Sequence, residues 1–170
     1  LSQVRAGGMP DAGAMVIASD HKTAKLYAEI LQGITGRPPI VVLSDDPTAS
    51  DKIGAFEESR ERWLVAVRMV SEGVDIPRLA VGVYATSVQT PLFFAQAVGR
   101  FVRGRRPGET ASVFLPSVPT LLELAGQMEA ERDHALDGTT KEQFLADELL
   151  AAANRELDEA GEEEPAFTAL

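Results

Sequence analysis

Cysteine is absent from the 170 residues. That excludes disulfides and thiolate metal sites and fits a reducing compartment, expected here to be the cytoplasm. Only two histidines are present, His21 and His134, far apart in the chain, so no histidine-based metal cluster is expected and no metal site is assigned. No apolar run reaches the roughly 18 residues that a membrane-spanning helix needs, so no membrane partner is expected. Leu1–Pro10 lacks the apolar segment of a signal peptide. No G-x-x-x-x-G-K-[ST] pattern occurs, so the chain contains no phosphate-binding loop of its own. Aromatic residues are sparse at 6%, with a single tryptophan, Trp63. It opens an apolar run and reads as packing rather than as a platform for stacking bases.

What is present is apolar enough for a core: 45% of the residues are hydrophobic. The net charge of −10 argues against a nucleic-acid binder until its distribution is considered. Residues 137–170 carry ten acids and two bases, and residues 1–136 carry 16 acids and 14 bases. The acidity therefore belongs to the tail, and overall charge does not decide the question of nucleic acid.

Five short apolar runs alternate with helical patterns. Residues 14–18, 40–43, 63–67, 80–85 and 110–115 read as strands. Residues 21–34, 48 to about 59, and 91 to about 102 read as helices, the last opened by Pro91 at its first turn. Ser19-Asp20 is helix-start chemistry, and Thr48-Ala-Ser-Asp51 resembles a capping box. Leu1–Gly13 reads as a loop or linker. This alternation predicts an α/β fold with a mostly parallel sheet covered by helices on both faces. Ligands in such sheets gather at the carboxyl ends of the strands. The expectation is that the loop after the first strand, the loop after the third and the helix after the fourth open toward that one edge. Residues 118–136 and 140–160 read as further helices, and the acidic end from Gly161 as a frayed terminus. The domain organisation expected is a linker over 1–13, an α/β domain over 14–136 and an acidic helical extension over 137–170.

The stretch from Gln96 to Arg106 is the most distinctive. It places four arginines, Arg100, Arg103, Arg105 and Arg106, within seven residues. On a helix, Gln96, Arg100 and Arg103 share one face. Guanidinium groups bind phosphate oxygens through paired hydrogen bonds and suit the charge that develops in phosphoryl transfer. The spacing alone leaves two readings open: a phosphate-facing surface, or an ordinary basic helix end on a solvated surface.

Three segments together resemble a known family. Gln96-x-x-Gly99-Arg100-x-x-Arg103 resembles motif six of superfamily 2 helicases. Val70-Ser-Glu-Gly73-Val-Asp75-Ile-Pro77 looks like motif five, and Met15-Val-Ile-Ala-Ser19-Asp20 like motif four. Their order and placement over residues 14–115 are similar to the C-terminal RecA-like domain of DEAD/DEAH-type helicases. Glutamine at position 96 resembles the XPB-like and restriction-type branch. The resemblance implies a RecA-like parallel sheet and several site residues. Arg100 and Arg103 would be arginine fingers reaching the γ-phosphate, and Gln96 would sense the nucleotide. Gly73 and Asp75 would contact ribose or fix the arginine helix, and Ser19 and Asp20 would touch the nucleic-acid backbone. Relatives often carry threonine at the end of the third strand. This chain has Val67 there, which puts the phosphate contact on Arg68. ATP with Mg2+ is the implied cofactor, bound mainly by a first RecA-like domain that the chain lacks. That first domain and a nucleic acid, DNA before RNA, are the implied partners. The implied function is the second motor domain of an ATP-dependent helicase or translocase, inactive as an ATPase alone. The alternative is a non-catalytic RecA-like module that binds nucleic acid or regulates. The acids at Asp158-Glu-Ala-Gly161 read as a solvated helix end rather than as a DExx box.

Overall fold

The structure is a computed structural model of the chain, and it describes residues 1–67, 76–101 and 110–132. The chain divides into two compact units, Leu1–Ala125 and Gly126–Leu170. In the second unit only residues 126–132 are described, and they are helical. The extension expected over 137–170 lies outside the described residues.

In the first unit the apolar runs form β1 (Gly13–Ala18), β2 (Ile40–Val42), β3 (Trp63–Val67), β4 (Leu79–Ala85) and β5 (Ser112–Phe114). All four pairings are parallel, in the order β2-β3-β1-β4-β5. β1 sits at the centre, and all six of its residues are buried. That burial explains why its sequence is a continuous apolar run rather than an alternating one. The helices are α1 (Ser2–Ala6), α2 (His21–Thr35), α3 (Ala49–Glu58) and α4 (Pro91–Gly99), and residues 119–132 are also helical.

Register assigns the faces. Val16 pairs with Val65 and Val83, and Ala18 with Val67 and Ala85. These residues form one core with Ala24, Tyr27, Ala28 and Leu31, so α2 covers that face. Met15 and Ile17 point the other way, with Gly82 and Tyr84 as their β4 partners. The Tyr84 ring lies 5.5 Å from that of Phe94, which brings α4 to this second face. The sheet is thus covered on both sides, as expected for an α/β fold.

Three local expectations change. Residues 2–6 are a short helix, which the glycines around it had hidden. Thr48 and Asp51 do not form a capping box, because the Thr48 side chain makes no cap hydrogen bond. Instead Asp46 accepts from the Thr48 backbone N–H at 2.8 Å and from its hydroxyl at 2.6 Å. And α4 ends at Gly99 rather than near residue 102. Its last turn tightens, with the Phe101 N–H donating to the Val98 carbonyl at 2.9 Å.

Candidate functional site

Ser19 and Asp20 follow β1 directly, at the carboxyl edge of the sheet. Asp20 is the N-cap of α2. Its carboxylate accepts from the Thr23 backbone N–H at 2.8 Å, and the Thr23 hydroxyl accepts from the Asp20 N–H at 3.1 Å. The Thr23 backbone bond, chiefly, holds the Asp20 carboxyl below its usual range. Asp20 is therefore engaged in starting the helix. The Ser19 hydroxyl accepts from the Ser87 N–H at 3.0 Å, which ties the loop after β1 to the loop after β4. His21, on the first turn of α2, meets Ser44 at 3.2 Å and Asp45 at 3.4 Å, both in the loop after β2. The carboxyl edge is thus a continuous rim of three loops.

Gln96 and Arg100 lie one turn apart at the end of α4. Gln96 is exposed, and Arg100 is half-buried at the C-cap position. Phe101, next in the chain, is buried to 2% exposure. Its ring lies so close over Gly82 that a Cβ there would meet ring carbons at 2.7 and 2.8 Å. Gly82 pairs with Met15, four residues before Ser19. At about 3.3 Å per strand residue, the Gly82 seat of Phe101 lies roughly 13 Å back along the sheet from the level of Ser19.

The loop after β1 and the start of α4 lie at the carboxyl edge, and the loop after β3 lies outside the described residues. Helix α4 begins at the carboxyl edge and returns along the second face, so its C-terminal end arrives beside the middle of β4. Gln96 and Arg100 lie one turn apart at that end of the helix. Arg68, Gly73, Asp75 and Arg103 lie outside the described residues, as do Arg105 and Arg106.

Sequence reasoning missed two features. The first is Arg78, which is 4% exposed at the start of β4. It donates to the Phe56 carbonyl at 2.6 and 3.1 Å, to that of Glu61 at 2.9 Å and to that of Asp11 at 2.9 Å. Its guanidinium also lies 4.0 Å from the centre of the Phe56 ring. The second is the Gly82–Phe101 contact. A glycine inside a buried apolar strand was its only sequence signal.

Among the described residues no group of three or more His, Asp or Glu could hold a metal ion. No described helix is long and apolar enough to cross a membrane. A cleft lined by Arg37, Pro38, Arg62 and Trp63 opens at the opposite, amino-terminal edge of the sheet and shares nothing with this site.

No protein-family model matches the chain. It is 58% identical over 171 residues to the uncharacterized protein Rv2917 of Mycobacterium tuberculosis, covering 100% of this chain and 28% of that protein. It is 30% identical over 101 residues to the ATP-dependent RNA helicase dbp8 of Aspergillus terreus, covering 59% of this chain and 19% of that protein. The chain thus spans well under a third of the length of these curated relatives. Among solved structures it is similar to the C-terminal domain of the DEAD-box protein Dbp5. The TM-score there is 0.54 at 17% identity, over 71% of this chain and 69% of that one. It is also similar to S. cerevisiae Dbp5 bound to RNA and ADP BeF3, with a TM-score of 0.55 at 18% identity, over 76% of this chain and 34% of that one. The fold is therefore that of helicase C-terminal RecA-like domains, and the structures that share it here are DEAD-box proteins.

Proposed function

We propose that this chain is the second motor domain of an ATP-dependent helicase or translocase of superfamily 2. The observation that carries the proposal is the placement of Gln96 and Arg100 one turn apart at the end of α4, on a RecA-like sheet with no phosphate loop. In this reading the first RecA-like domain binds ATP with Mg2+, which supplies the phosphoryl group and its charge neutralisation. Arg100 and Arg103 close on the γ-phosphate from across the cleft. Gln96 senses the nucleotide, and Gly73 and Asp75 contact ribose or brace the arginine helix. Ser19, Arg68 and the helix start capped by Asp20 form the nucleic-acid side. The relative whose name states a nucleic acid, and the Dbp5 complex, both state RNA. RNA is thus the strand to test first, against the DNA that the XPB-like reading of Gln96 suggests.

A guanidinium across a closing cleft meets the phosphate fully only when the domains come together, so it acts on the transition state more than on ground-state binding. In the full-length product of the gene, Arg100→Ala and Arg103→Ala should each lower ATP turnover at saturating nucleic acid by about 10³–10⁵. That is about 4–7 kcal/mol of transition-state stabilisation. Nucleotide binding should change little. Lysine should rescue neither position, because it lacks the planar fork. Near-normal turnover in both alanine variants would leave this surface structural and return the chain to a non-catalytic, nucleic-acid-binding or regulatory module.

A further inference from the structure

The site described so far ends at Arg100, but the structure also shows what that residue is mounted on. β4 is buried between β1 and β5, and in such a position β-branched residues are favoured. Its central residue is nevertheless Gly82. The backbone there is not a turn, and among the described residues the positive-φ glycines lie elsewhere, at Gly8 and Gly36. Conformational freedom therefore does not account for the glycine. Space does: the Phe101 ring occupies the volume a side chain would need, with three of its carbons at 2.7, 2.8 and 3.0 Å from a Cβ built on Gly82. Ordinary carbon–carbon contact is about 3.5–4.0 Å. Any side chain at position 82 must therefore push the ring outward by about 1 Å. Phe101 is joined covalently to Arg100 and hydrogen-bonded back to Val98, so it cannot move without carrying the helix end with it.

We infer that Gly82 and Phe101 are positioning residues that set the reach of Arg100. The flat ring on the bare backbone fixes how far the end of α4 stands off the sheet, and with it the depth at which the Arg100 guanidinium meets a phosphate. The inference rests on the proposed role of Arg100, and it assigns to two apolar residues a part in catalysis that core packing alone would not require. Misplacing a catalytic group by about 1 Å can cost on the order of 10²-fold in rate.

The test uses the full-length protein, with turnover, KM for ATP and thermal melting measured together, well below the melting temperature. Gly82→Ala should lower kcat by roughly 10–100-fold with KM within about threefold, because the fault lies in transition-state contact rather than in nucleotide capture. The double variant Gly82→Ala with Phe101→Leu, in which a smaller side chain makes room for the methyl, should recover most of the lost kcat. Should Gly82→Ala fail to fold, Phe101→Ala decides the matter. It removes the seat without a clash and should lower kcat with KM unchanged. Normal kcat in a folded Gly82→Ala or Phe101→Ala variant, alongside an inactive Arg100→Ala, would overturn the positioning role and leave the arginine-finger reading intact. Normal turnover in Arg100→Ala itself would instead remove the reading on which the inference stands.

Discussion

Asp46 shows how much a single surface carboxylate can be committed. One oxygen accepts from the Thr48 N–H and hydroxyl, and the other pairs with Lys52 Nζ at 2.5 Å. The Lys52 bond is the largest cause, followed by Thr48, and together they lower the Asp46 carboxyl from 3.8 to about 2. Because the folded-state value lies below the unfolded one, the carboxylate form favours folding. That contribution is complete above about pH 4, where the unfolded chain is also ionised, and is lost as pH falls through about 2. Lys52→Ala should raise the Asp46 titration toward 3.8, read by carboxyl carbon shifts in NMR, and should flatten the dependence of melting temperature on pH between about 2 and 4. An unchanged titration would show that Thr48 alone holds the carboxylate. The capping pattern at Thr48 and Asp51 was the visible signal in the sequence. The acid in use stands two residues before Thr48, outside that pattern.

At the scale of elements, Arg78 joins three pieces of chain that sequence distance separates. Its guanidinium donates to Asp11 before β1, to Phe56 in the last turn of α3 and to Glu61 before β3. The helix-end carbonyl and the ring of Phe56 both favour a cation there. Arg78→Ala would leave the buried Phe56 carbonyl and the part-buried bonds to Asp11 and Glu61 without their donor, and Arg78→Lys could not span them, because an ammonium has no fork. Either change should destabilise the domain by about 1–3 kcal/mol, the range for a buried acceptor left unsatisfied, here the Phe56 carbonyl. Chemical denaturation of the 170-residue chain measures it. A loss under about 0.5 kcal/mol, the range of ordinary surface substitutions, would mean that Arg78 merely fills space. The helices were legible as elements because their apolar spacing and Pro91 act locally. The end of α4 was not, since Gly99 and the Phe101 seat on Gly82 shorten it through contact with a strand about 20 residues earlier.

For the whole molecule, the five-stranded parallel sheet is the platform on which the proposed chemistry is mounted. A chain that presents arginines but contains no phosphate loop should fold and yet not turn ATP over. The purified 170 residues should hydrolyse ATP at background rate, with or without RNA, while giving a cooperative thermal transition. Turnover by this chain that Arg100→Ala abolishes would break the half-site reading and require a complete nucleotide site within it. The curated relatives are several times longer than the chain, and a first RecA-like domain in that additional length is what the proposal requires.

The sequence by itself determined the parallel α/β sheet, its five strands and the helices between them. Those follow from continuous apolar runs, helical periodicity and local start signals, each of which acts within a few residues. It also determined that Gln96 and Arg100 lie one turn apart, because that spacing is a property of any helix. Only the tertiary structure decided where that helix end arrives. A crossover helix runs back along the sheet, so Phe101, next to Arg100, comes to rest on mid-β4. The sequence likewise could not reveal why Gly82 is bare or why Arg78 is buried. Both answers depend on partners brought together by folding, Phe101 in one case and Asp11, Phe56 and Glu61 in the other, and no local pattern encodes such distant contacts.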